Sequence, residues 1–162
     1  MNSIILGLLV GILTVIGQAY LPSSFNSIAN SGAMWLIPAY FIAMRFLKIK
    51  QSIISCILCL LGSVLGYYTF ESIWNNHAFN FISYMMIFWI ICSFIAGTIF
   101  GIAANFGKYS KNKYINSIGK SMLPAVFMAE GLNILIHRKD YLHMIAVGYA
   151  GIIISLILII YI

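Results

Sequence analysis

Glu130 is the one acidic residue of this 162-residue chain that falls inside an apolar run; Glu71 directly follows a run and Asp140 lies between two. A carboxylate placed among hydrocarbon is costly to keep, and such a group is by default a candidate for binding a proton or a cation. Asn133 and His137 follow at i+3 and i+7. On a helix that spacing gives one face, so the three read as a polar stripe leading from an outer surface to the carboxylate, with Glu130 near mid-membrane. Thr14 and Gln18, four apart in the first run, would share a face pointing at the same space. Asn30, with Asn26 and Ser31, would stand at its rim. Tyr67, Tyr68, Glu71 and His77 collect in the same outer half. The chemistry expected is coordination or proton exchange in an outward-open cavity with Glu130 at its base. The alternative is that Thr14, Gln18 and Asn133 hydrogen-bond between helices as glue and that Glu130 is a structural acid.

Other reactive groups point to no reaction. Cys56 and Cys59 form C-x-x-C, a redox spacing, but inside an apolar run, where burial blunts thiol reactivity. Cys92 is isolated. The three histidines lack metal-binding spacing of the H-E-x-x-H kind. There is no phosphate-binding glycine loop and no lysine within an apolar run to form a Schiff base. The expectation is a protein that is not an enzyme, with no catalytic residue, no metal and no cofactor.

The elements that must position Glu130 follow from composition. Hydrophobic residues make up 62% of the chain and charged ones 7%, against roughly 25% charged in soluble domains. Crossing ~30 Å of hydrocarbon takes about 20 helical residues. Six runs of roughly that kind cover residues 4–20, 32–46, 52–70, 81–104, 121–136 and 144–162. Lipid offers backbone amides no partner, so the spanning element is a helix. The fold class expected is an all-α membrane protein of six transmembrane helices in a single domain, 1–162. The first run lacks a basic leader and a small-residue cleavage site, and reads as a retained helix.

Nine basic residues orient the helices. Arg45, Lys48 and Lys50 lie between the second and third runs; Lys108, Lys111, Lys113 and Lys120 lie between the fourth and fifth. The positive-inside rule makes both loops cytoplasmic, and both termini with them. Arg138 and Lys139, beside Asp140, fall outside. The net charge of +6 is then a topology signal with attraction to anionic lipid, and implies no nucleic-acid partner.

One phrase occurs twice. NSGAMWLIPAYFIA (30–43) returns as NSIGKSMLPAVFMA (116–129), with Asn, Ser, Pro, Ala, Phe and Ala at the same offsets. Gly7, Gly11 and Gly17 share their spacing with Gly97, Gly101 and Gly107. Halves of three spans each, 4–70 and 81–162, would lie in opposite orientations as an inverted-topology repeat, an architecture found in transporters; chance convergence of two apolar helices is the alternative. With Asn30 and Asn116 as helix caps, Pro38 and Pro124 are interior and should kink or break their helices. Met44 of the first copy corresponds to Glu130 of the second. The G-x-x-x-G pairs Gly7/Gly11 and Gly97/Gly101 fit close helix contact, and Trp35 and Trp74 fit interfacial anchoring.

The runs LPSSFNSIANSGAMWLIPAYFIA (21–43) and LPAVFMAEGL (123–132) resemble a family of small, uncharacterised bacterial multi-pass integral membrane proteins. The resemblance implies a bacterial inner-membrane protein of about this length and carries over no site residue. Two functions remain open from the residues. One is a small transporter or channel for a solute or ion, with Glu130 binding a proton or cation. The other is an interaction protein: an accessory subunit, a substrate-binding subunit of a transport complex, or an immunity or signalling component. The partners expected are the lipid bilayer, a small solute or ion, and further copies or a larger membrane complex.

Overall fold

A chain this apolar must satisfy its backbone within each segment, and the computed structural model, which describes residues 2–22, 25–26, 29, 31–76, 78 and 83–162, is helical throughout its regular parts. Six α-helices lie among the described residues: α1 Ser3–Tyr20, α2 Gly32–Ala43, α3 Ile49–Trp74, α4 Tyr84–Tyr109, α5 Lys113–Ile136 and α6 Ile145–Tyr161. A 3-10 turn, Leu142–Met144, leads into α6. Four segments are long and apolar enough to cross a membrane: α1, α3, α4, and α6 with its 3-10 turn. At 12 residues, α2 spans only about 18 Å of a ~30 Å core. α5 has the length, at 24 residues, but carries Lys113, Lys120, Glu130 and two asparagines.

The helix starts differ from expectation, for reasons of capping. Asn116 does not cap α5. The helix begins at Lys113, because the side chain of Asn112 accepts from the amides of Tyr114 (2.9 Å) and Ile115 (3.4 Å). Asn116 instead donates its side-chain amide to Gly107 O at 2.8 Å and Phe106 O at 3.3 Å, satisfying carbonyls at the end of α4. Ser31 is the cap of α2, its hydroxyl accepting from Ala33 N at 3.1 Å; Asn30 lies outside the described residues. The expected proline breaks do not occur. α2 and α5 remain helical on both sides of Pro38 and Pro124, as membrane helices do when their neighbours re-satisfy the backbone. Next to that disturbance the Ser155 hydroxyl of α6 donates to Pro124 O at 2.8 Å.

Glycines set the packing. α1 lies along α3 with Gly7 and Gly11 facing Gly62, Ser63 and Gly66. A methyl group at Gly7 would meet Cys59 O and come within 2.9 Å of Gly62 Cα, and one at Gly66 would meet Leu8 backbone. α4 crosses the same helix from another side through the second G-x-x-x-G pair, Gly97 against Ile57 and Gly101 against Ile53. Gly107 meets Gly119 where α4 crosses α5, and Gly131 meets Gly148 where α5 crosses α6. The close contacts expected of both glycine pairs are therefore present, and α3 is the helix they share. Its Cys56 and Cys59 are fully buried free thiols.

These contacts also fix direction. Ser3 Oγ lies 2.6 Å from Ser55 Oγ near the start of α3, and Tyr20 packs on Trp74 at its end, ring centroids 6.2 Å apart, so α1 and α3 run parallel. Gly97 with Ile57 and Gly101 with Ile53 make α4 antiparallel to α3. The remaining pairings continue the alternation, up and down, through α6. Asn105 donates to Phe46 O and Leu47 O and Tyr109 to Met44 O. Both lysine-rich loops thus share one end, together with the chain start and with Ile162, which lines a cleft beside Lys120.

The two copies of the repeated phrase cross antiparallel. Ser31 meets Glu130 at one end of the crossing, and Tyr40 donates to Gly119 O at 2.8 Å at the other, with Pro38 and Pro124 between these contacts in sequence. The flanking helices do not follow suit. α1 packs along α3 more extensively than any other pair, whereas α4 and α6, which a repeat would make equivalent to them, barely touch.

Candidate functional site

The start of α2 and the last third of α5 come together at one pair of side chains. Glu130 is half-buried, and the Ser31 hydroxyl stands 2.8 Å from its Oε1 and 2.7 Å from its Oε2. One hydroxyl proton is shared between the two oxygens. The same Ser31 oxygen accepts from Ala33 N, so the cap ties the N-terminus of α2, the positive end of its dipole, to the carboxylate.

Glu130 borders two cavities and is the one charged residue lining either. A narrow one, of about 20 Å³, lies toward α6 between Met34, Phe127, Ile134 and Val147. A larger one, of about 450 Å³, opens between α2, α4 and α5 and is walled by Trp35, Trp89, Leu60, Cys92, Ser93 and Val126. Trp35 is only 7% exposed, so it belongs to the core, contrary to its expected place at the interface. Its indole donates from Nε1 to Thr14 Oγ1 at 2.9 Å, and Thr14 in turn donates to Val10 O at 2.9 Å. Trp35 packs against Trp89 and Tyr67 with centroids 6.0 and 5.9 Å away. Trp74, by contrast, is half exposed at its helix end.

The residues expected around Glu130 separate into three groups. Thr14 reaches the site indirectly, by orienting Trp35. Gln18 belongs to another cluster on the α1–α3 seam: Tyr67 donates to its Oε1 at 3.1 Å and Asn26 to its carbonyl at 2.7 Å. Asn133 and His137 are exposed. His137 ends α5, its Nδ1 lying 3.0 Å from Asn133 O, and neither residue lines the cavities at Glu130. The stripe is a correction with a simple cause: Gly131 and Ile134 face α6, which turns Asn133 and His137 outward and leaves Glu130 at the seam. Asn30 and His77 lie outside the described residues. With α5 starting at Lys113, Glu130 stands about 25 Å from the helix's first residue and about 9 Å from its last.

Sequence reasoning placed Ser31 only at the rim and gave Trp89 and Cys92 no role. The available signal for Ser31 was its cap chemistry ahead of an apolar run. For Trp89 there was none, since its neighbours are apolar on all sides. Among the described residues no group of three histidine, cysteine, aspartate or glutamate side chains could hold a metal, and no buried side-chain polar atom lacks a partner.

No curated protein and no solved structure matches the chain. A family profile does so over its entire length, in agreement with the uncharacterised status implied by the resemblance. The chain, matched over residues 1–162, belongs to a family of unknown function (DUF6518).

Proposed function

We propose that this protein is a six-span carrier or channel of the bacterial cytoplasmic membrane that moves a small solute or ion, with Glu130 binding the proton or cation. The observation that carries this reading is the Ser31-capped carboxylate on the wall of a cavity of about 450 Å³ that is otherwise uncharged. A carboxylate at such a place is costly to keep and is by default a functional candidate. The antiparallel crossing of α2 and α5 supports an inverted pairing confined to those two helices, akin to the inverted elements that frame transporter sites. α2, too short to cross alone, suits that role. The lysine-rich end, with both termini, is cytoplasmic on this reading, and Glu130 faces the outer leaflet.

Reconstituted into liposomes, the protein should carry a proton, sodium or potassium flux above that of empty liposomes. A membrane-impermeant methanethiosulfonate that modifies Cys92, in the wall beside Glu130, should block it. Absence of flux for all three ions, and for an organic cation such as benzyltrimethylammonium, would contradict the reading and favour an interaction protein.

A further inference from the structure

We infer that the species held at Glu130 is an organic cation with an apolar body, an alkyl or aryl ammonium; the inference rests on the transport reading of the same site. A bare metal ion of the calcium or magnesium kind needs about six oxygen ligands. The cavity supplies Glu130 and Ser93, and the Ser93 hydroxyl is committed to Trp89 O at 2.8 Å. An anion would be repelled by Glu130. A highly polar neutral solute would meet walls that are apolar but for these two side chains.

What the walls do offer is two indoles. Trp35 and Trp89 lie 6.0 Å apart, inclined at 50°. Trp35 is fixed by its bond to Thr14, and Trp89 packs over Gly32, within 4 Å of where a methyl group there would stand. Gly32 directly follows Ser31, which holds Glu130. The aromatic wall and the carboxylate are therefore neighbours through two consecutive residues. A quaternary or protonated amine is attracted by an indole face within ~6 Å of its centroid, by the carboxylate at longer range, and by an apolar wall through its body. The volume, about 450 Å³, falls within the ~300–1,000 Å³ of small-molecule sites.

The test uses benzyltrimethylammonium as probe and neopentylbenzene as its uncharged isostere, titrated calorimetrically into the full-length protein in lipid nanodiscs. The cation should bind saturably, and the isostere, the Glu130→Gln protein and the Trp89→Leu protein should each lose about tenfold or more in affinity. Trp89→Phe, which keeps a ring face and guards against a folding defect in the leucine variant, should retain part of the affinity. Equal binding of cation and isostere, or affinity unchanged in Glu130→Gln, would overturn the inference and make the cavity an apolar site for lipid. A Glu130-dependent flux of an inorganic cation with no binding of the probe would overturn it while leaving transport standing. Glu130-dependent binding of the probe with no flux of any cation would support the ligand class and remove transport.

Discussion

The hydroxyl of Ser31 joins two jobs at one atom: it accepts the Ala33 amide that starts α2 and donates to both oxygens of Glu130, at 2.8 and 2.7 Å. A single side chain thus couples the geometry of a short helix to a carboxylate 99 residues away. Ser31→Ala should cost about 1–3 kcal/mol in unfolding free energy, from the lost cap and the stranded carboxylate. Ser31→Thr should keep most of it. Equal thermal unfolding of wild type and Ser31→Ala would show that the bond carries no weight.

The α1–α3 contact should tolerate no side chain. A methyl group at Gly11 would meet Ser63 O and Tyr67 N and come within 2.9 Å of Gly66 C, all backbone atoms that cannot rotate away. Gly11→Ala should therefore destabilise by about 1–3 kcal/mol, outweighing the ~1 kcal/mol that alanine gains in a helix. Gly32→Ala, whose nearest neighbours are side-chain atoms at 3.8 and 3.9 Å, should be neutral to within about 0.5 kcal/mol. Thermal unfolding in detergent compares the two directly.

Tyr40 has no exposed surface, and its hydroxyl closes the α2–α5 crossing on Gly119 O at 2.8 Å. Tyr40→Phe should cost about 1 kcal/mol and loosen the crossing, seen as faster hydrogen exchange in α2. Exchange in α1 should stay as in wild type. A uniform change, or none, would place the crossing's stability elsewhere.

Seven basic residues, Arg45, Lys48, Lys50, Lys108, Lys111, Lys113 and Lys120, lie in the loops or the adjoining helix turns that gather at one pole; Arg138 and Lys139 stand at the other. Reporter fusions after Lys50, Lys113 and Ile162 should score cytoplasmic, and those after Asn76 and Asp140 external. A cytoplasmic signal at Asp140 would refute six crossings.

Much of the frame was legible because hydropathy changes abruptly at loops: the start of α1 and the start of α6 lie within a residue of the expected runs. The start of α5 was missed because residues 112–120, with two asparagines, a serine and two lysines, do not read as an apolar run, while helix hydrogen bonding runs through them under the Asn112 cap. Trp35 was read as an anchor since tryptophan is amphipathic. Thr14, which satisfies its N–H within the core, lies 21 residues earlier and betrays no pairing in sequence. Glu130 stood out by charge alone. Its true neighbours did not, because a helix apolar around most of its circumference gives no clue to which side meets which partner; Asn133 and His137 share a face with one another, and that face turned out to be exposed.

The most direct measurement is cation flux through proteoliposomes carrying wild type, Glu130→Gln or Glu130→Asp, with thermal unfolding of each protein alongside. Glutamine keeps the size and an oxygen for Ser31 to bond but cannot hold a full negative charge or exchange a proton. The account predicts flux in the wild type, its loss in Glu130→Gln with unfolding close to wild type, and partial flux in Glu130→Asp. Flux in Glu130→Gln equal to wild type would contradict it and return the carboxylate to a structural role.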